Sequence, residues 1–258
     1  MRPLTELDGR GVRTLLFDID ETLTTAGKLT AQAYSALERL HAAGKRTVAV
    51  TGRPAGWCDH IARMWPVDAV VGENGALYFL FTGARLEKHY RESPETRTRN
   101  RERLAEVART ILAEVPGAAL ASDQPYRETD LAIDYCEDVP PLPLEAAERI
   151  AVLMRQAGMH AKLSSIHVNG WFGDYDKLAM TRELFREQFA IDLQAARAEV
   201  VYIGDSPNDS PMFEFFPKSV GVANIQRFAG GLPAAPKYVT SGSSGAGFAE
   251  VIAHLLRA

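Results

Sequence analysis

The stretch Leu15-Leu16-Phe17-Asp18-Ile19-Asp20-Glu21-Thr22 constrains this chain more than any other. A short apolar run reads as a buried strand, and this one stops at two acids spaced i, i+2. Two residues along an extended segment point the same way, so Asp18 and Asp20 share a face. In an α/β sheet, residues just past the carboxyl end of a strand face the ligand crevice. An Asp-x-Asp pair alone also suits a surface turn. Against a turn stands a second run of the same design far downstream, Val200-Val201-Tyr202-Ile203-Gly204-Asp205-Ser206-Pro207-Asn208-Asp209.

Carboxylates on two strand ends make a hard-oxygen set suited to Mg²⁺, which keeps several waters for substrate phosphate. Between them, Val48-Ala49-Val50-Thr51-Gly52-Arg53 reads as a third strand ending in a hydroxyl, and Lys177 opens a helical pattern. Hydroxyl, ammonium, metal and two aspartates are the parts needed to hold and attack a phosphoryl group.

The 258 residues allow one large core or a core with a smaller domain, and the net charge of −4 is mild. The densest basic run, Arg97 to Arg109, alternates with Glu102 and Glu106 at helical spacing and reads as a solvated helix face. No stripe for nucleic acid stands out. Cys58 and Cys136 match no metal-ligand spacing; two free thiols fit a reducing compartment, with one disulfide as the alternative. No signal peptide opens the chain and no apolar run reaches the ~18 residues of a membrane span, so the chain reads as cytoplasmic, without a membrane partner.

Residues 1–11 carry Gly9 and Gly11 and read as a lead-in with little structure. Thr30 caps a helix through Leu40, and Pro54 opens another that runs to about Met64. Leu77 to Phe81, a Thr82-Gly83 turn and a strand to Tyr90 make a hairpin. Helices are expected over Pro94–Ala113 and Leu144–Ala157, with strands over Leu131–Tyr135, Met159–Leu163 and Ser165–Trp171. Period-two alternation in the last puts Ser165, His167 and Asn169 on one face. The Gly/Ser-rich loop Ser241 to Gly247 lacks a Lys-Ser/Thr ending and reads as a flexible connector before a final helix.

The motif set, in this order, resembles the haloacid dehalogenase superfamily of phosphohydrolases over residues 12–82 and 172–258. The string Glu73-Asn74-Gly75-Ala76 is similar to the subfamily IIB (Cof-like) branch, which includes sugar phosphatases and phosphomannomutases. The resemblance implies an α/β fold, a Rossmann-like parallel-sheet core with an inserted α+β cap domain. Residues 1–83 and 172–258 would form the core and residues 84–171 the cap.

It also implies roles. Asp18 would be the nucleophile that forms an aspartyl-phosphate. Asp20 would be the acid–base, a role that argues against a dehalogenase, which has no alkoxide to protonate. Asp18, the Asp20 carbonyl, Asp205 and Asp209 would hold Mg²⁺. Thr51 and Lys177 would grip the phosphate, with Gly52, Arg53, Asn74 and Asn208 beside it. From the cap, His167 and Asn169 are candidate readers of sugar hydroxyls, and Arg127, near Asp130 and Asp134, could clasp a second anionic group. Many relatives have Gly where this chain has Glu21. The expected activity is a Mg²⁺-dependent phosphatase for a small phosphate ester, a sugar or polyol phosphate. A phosphomutase and a non-catalytic metabolite-binding module remain as alternatives, and the oligomeric state is not readable.

Overall fold

The structure is a computed structural model that describes residues 1–164, 166–228 and 230–258. In chain order the strands are β1 (Arg2–Pro3), β2 (Thr14–Phe17), β3 (Arg46–Val50), β4 (Ala69–Gly72), β5 (Leu77–Phe81), β6 (Leu86–Tyr90), β7 (Ala119–Leu120), β8 (Asp130–Asp134), β9 (His160–Leu163), β10 (His167–Trp171), β11 (Val200–Gly204), β12 (Lys218–Gly221) and β13 (Tyr238–Val239). The helices are α1 (Ala31–Ala42), α2 (Ala55–Met64), α3 (Pro94–Glu114), α4 (Leu144–Gln156), α5 (Lys177–Gln188), α6 (Leu193–Ala196), α7 (Ser210–Phe215) and α8 (Ser244–Leu255).

Among the described residues the strands form a large sheet, ordered β1-β13-β12-β11-β2-β3-β4-β5-β6, and a small one, ordered β7-β8-β10-β9. The large sheet is parallel from β1 to β4, with β5 and β6 added antiparallel. Strand β2 is central because it buries both faces. Leu15 and Phe17 pack on one side with α1, α2 and α8, while Leu16 packs on the other with α5 and α7. From β2 the chain winds through β3 and β4 in one direction, and from β11 through β12 and β13 in the other. The switch point between β2 and β11 is where such a sheet opens its ligand crevice.

The segment between the motifs forms the small antiparallel sheet with α3 and α4 on one face. Leu131, Ile133 and Val168 turn into that packing layer. The intervening Asp130, Asp134, His167 and Asn169 therefore fall on the opposite face, where Asn169, His167 and Arg127 line a cavity shared with the large sheet. Ser165 lies outside the described residues, so the expected three-residue face is represented by His167 and Asn169.

Three expectations change. Residues 1–11 are not without structure: β1 pairs with β13, and Leu4 and Leu7 are buried against the core. The hairpin strand β6 lies inside the span 84–171, yet it bonds in register with β5 of the large sheet. The Gly/Ser loop is no loose connector. Ser241 and Gly242 donate backbone N–H to Glu250, and Gly247 lies against the Gly242 carbonyl, an approach only glycine permits. Among the described residues no helix is long and apolar enough to cross a membrane.

Candidate active site

Four strand ends deliver the site. Asp18 follows β2, Thr51 follows β3, Glu73 and Asn74 follow β4, and Asp205 follows β11. Lys177 is the first residue of α5, whose start is capped by the Asp176 side chain accepting from Ala179 N–H. The chain thus brings together residues far apart in sequence, all buried.

Lys177 Nζ sits 3.1 Å from Asp18 Oδ1 and 2.8 Å from Asp209 Oδ1. Burial lowers the affinity of that ammonium for its proton, but the charges of Asp18 and Asp209 outweigh it and hold the lysine cationic. Asp209 is also fixed by Tyr202, whose hydroxyl donates to Oδ1 at 2.5 Å, and by the Asp205 and Ser206 N–H groups on Oδ2. Burial, then the charges of Asp18 and Asp209, push Asp205 well above the usual carboxylate range. Burial with the charges of Asp209 and Asp20 pushes Asp18 up to about 7, against the lowering pull of Lys177.

Asp18, Asp205 and Asp209 each offer a carboxylate oxygen, and these lie within 4.8 Å of one another. Asn224 and Arg227 donate to Asp205 Oδ2, while the buried Oδ1 has no partner. A buried carboxylate oxygen without a donor, beside two more carboxylates, is the donor set a divalent cation satisfies. The residues present therefore fit the implied metal.

The other expected residues gather on one cavity, lined by Asp18, Asp20, Gly52, Arg53, Arg127, His167, Asn169 and Asn208 together with Ser164, Ile166 and Ser206. Its volume is about 20 Å³, scarcely more than one water needs. The insertion is closed over the strand ends. Thr51 Oγ1 accepts from Arg53 N–H, which leaves its own hydrogen to donate. Asn208 Oδ1 accepts from the Ser206 hydroxyl, leaving its NH₂ free of that bond. Asn74, with φ +55°, packs against Gly52, and its Nδ2 is buried without a partner.

Two arginines expected near the substrate are engaged instead with protein carboxylates. Arg53 binds Asp20 through Nε and Nη2, Asp123 through Nη1 and Glu137 through Nη2, and lies 4.4 Å from the Trp57 ring centroid. Arg127 binds Asp123 and Asp130 and donates to the Gly52 carbonyl. Neither guanidinium is left unpaired for a second anion. His167 Nε2 stands 2.8 Å from Glu137 Oε2, and Asn169 donates to Asp130 at 3.4 Å.

Sequence reasoning missed Asp123, Glu137, Asn224 and Arg227, which act from loops with no motif of their own, and Tyr202, which reads as an ordinary buried position of strand β11. Glu21 has φ +53°, a left-handed backbone that glycine adopts most readily. Here its carboxylate accepts from Gly27 N–H and the Ser244 hydroxyl, tying two loops beside the site.

Residues 15–95 match the family of haloacid dehalogenase-like hydrolases. No curated protein matches the chain by sequence. Among solved structures, a protein from Plasmodium vivax described as a HAD/COF-like hydrolase superposes with a TM-score of 0.71 at 17% identity, covering 97% of this chain and 98% of that one. A sucrose-phosphatase from Synechocystis gives 0.63 at 17% identity, covering 95% and 98%. A subclass IIB sugar phosphatase gives 0.62 at 16% identity, covering 94% and 98%. Residues 15–95 thus carry the sequence signature of the haloacid dehalogenase-like hydrolases, and the chain as a whole shares the fold of these solved structures.

Proposed function

We propose that this chain is a Mg²⁺-dependent phosphatase that hydrolyses a small phosphorylated metabolite, of the sugar or polyol phosphate class, with the inserted unit acting as a cap. The observation that carries the reading is the convergence of Asp18, Lys177, Asp205 and Asp209 beside Asp20 and beneath the insertion. The sucrose-phosphatase and the subclass IIB sugar phosphatase carry the same fold and support the substrate class.

In this reading an Asp18 carboxylate oxygen attacks phosphorus as the bond to the ester oxygen breaks. Asp20 gives its proton to the departing alkoxide. It then takes one from the water that attacks the aspartyl-phosphate, which releases inorganic phosphate and restores Asp18. Lys177 places its charge between Asp18 and the phosphate, and the Thr51 hydroxyl and Asn208 NH₂ donate to non-bridging oxygens. A divalent cation held by Asp18, Asp205, Asp209 and the Asp20 carbonyl would screen repulsion between the carboxylate and the anionic ester. The cap excludes water and has to open for substrate, since the closed cavity admits no sugar.

The test is phosphate release from p-nitrophenyl phosphate and a panel of sugar and polyol phosphates, with Mg²⁺, with EDTA, and with Asp18→Asn. Metal-dependent release that Asp18→Asn abolishes is the expected result. An isomeric sugar phosphate without free phosphate, or silence across the panel, would overturn hydrolysis.

A further inference from the structure

Glu73 is fully buried, and among the described residues no cation lies within ion-pair distance of it. Its carboxyl group is held by N–H and O–H donors alone. Oε1 accepts from Ala55 N–H at 2.8 Å and from Glu128 N–H at 2.9 Å. Oε2 accepts from Thr129 N–H at 2.7 Å and from the Thr129 hydroxyl. Ala55 opens α2, after Thr51-Gly52-Arg53-Pro54. Glu128 and Thr129 belong to the insertion, between Arg127 and Asp130. One carboxylate therefore fixes two loops to each other, and both loops line the catalytic cavity. A second bond joins the same loops, from Arg127 to the Gly52 carbonyl.

The backbone that presents Glu73 is costly. Glu73, Asn74 and Gly75 all have positive φ, at +44°, +55° and +105°. Such conformations persist only where the surroundings over-determine them, and they cluster at functional sites. The same loop touches both points where the chain crosses between the two sheets. Arg91 N–H donates to the Ala76 carbonyl on the outward crossing, and Gly75 lies against the Asp176 backbone on the return. The loop that carries Glu73 thus also contacts both crossings between the two sheets.

We propose that Glu73 is a positioning residue: its carboxylate docks the 127–129 loop of the insertion onto the 51–55 loop and so places Arg127 and Asn169 over the cavity that holds Asp18. Its activity arm rests on the phosphatase reading above; its exchange arm does not. The chemistry of the joint demands a carboxylate. All four partners are donors, and an amide would turn its own NH₂ toward two of them.

The experiment compares wild type, Glu73→Gln and Thr129→Val by amide hydrogen exchange and by p-nitrophenyl phosphate kinetics. In Glu73→Gln the amides of Ala55, Glu128 and Thr129 exchange roughly tenfold faster, as expected for lost buried hydrogen bonds, while β2 and β11 keep their protection. The kcat falls by about 10²-fold, the scale of a ~1 Å misplacement of groups around the reacting centre. Thr129→Val, which removes one donor from the cap side and leaves the strained loop intact, shifts both readouts the same way by less. Faster exchange throughout the large sheet would make Glu73 a fold-stabilising residue and overturn the positioning role. Unchanged protection at residues 128 and 129 would also overturn it. If wild type hydrolyses no phosphate ester, the phosphatase reading fails on its own, and the exchange pattern still decides for or against the joint.

Discussion

Arg53 Nη2 lies 2.8 Å from Asp20 Oδ1, and the same nitrogen reaches Glu137 Oε1 at 2.9 Å. The proposed acid–base of the large sheet and an acid of the insertion thus share one guanidinium. Arg53 orients Asp20 and, through Glu137 and Asp123, couples that orientation to the docked insertion.

Removing the shared cation should therefore cost both stability and turnover. Arg53→Ala leaves Asp20, Asp123 and Glu137 facing one another, and breaking a buried ion pair from one side costs about 3–5 kcal/mol. Urea denaturation should show a loss of that order. Arg53→Lys keeps the charge but loses the planar fork, and should fall between Ala and wild type. Equal stability of all three proteins would show that the guanidinium does not hold the insertion.

Acid should release the same contact. Burial pushes the Glu137 carboxyl up, but hydrogen bonds and charge from His167 and Arg53 outweigh it and hold it at about 2, below the ordinary 4.5. A depressed carboxyl contributes stability that is fully present above the ordinary value and is lost as pH falls through the folded one. The melting temperature should therefore decline between pH 4.5 and pH 2, and the decline should be shallower in Glu137→Gln. Parallel curves for the two proteins would remove Glu137 from the acid response.

Tyr202 makes a prediction about the proposed metal. Its hydroxyl fixes Asp209 from the sheet side while Lys177 holds the same oxygen. Losing a hydrogen bond that orients a metal-binding carboxylate typically costs 10–100-fold in metal affinity. Tyr202→Phe should raise the Mg²⁺ concentration for half-maximal phosphate release by about that factor, and EDTA should abolish release in both proteins. An unchanged Mg²⁺ dependence would mean that Lys177 and the Asp205 and Ser206 N–H groups suffice to hold Asp209.

What the sequence made legible follows one rule. Asp18, Thr51, Lys177 and Asp205 each stand one residue past a strand or at the first turn of a helix, so a local pattern announces them. Contacts between the two sheets carry no such pattern. Glu73 meets Thr129 across 56 positions and Arg53 meets Glu137 across 84, and neither partner sits in a periodic run. Two of Arg53's three carboxylate partners, Asp123 and Glu137, arrive from the insertion, so its engagement had no local signal, whereas Arg127 is held by its sequence neighbours Asp123 and Asp130. The Gly/Ser loop misled for a different reason. Its glycines serve close approach to Thr240 and Gly242 and not flexibility, a distinction composition does not make.

Gly75 tests how tightly the loop after β4 is bound to α5, the helix that begins with Lys177. With φ +105° it occupies a region that side chains rarely adopt, and a Cβ there would collide with the Asp176 carbonyl and the Lys177 nitrogen. Gly75→Ala pairs a left-handed penalty of about 1–2 kcal/mol with an overpacking cost of about 1–3 kcal/mol. Where that overpacking is relieved by moving the start of α5, Lys177 moves with it. The variant should unfold at lower urea and also lose turnover, by about 10²-fold if Lys177 shifts by ~1 Å. Ala76→Gly, one residue on and outside the left-handed run, serves as the control for general loosening of the loop. If Gly75→Ala loses stability while keeping wild-type kcat, the loop and the lysine are mechanically independent. A joint loss places the residues after β4 among those that set the geometry at Asp18.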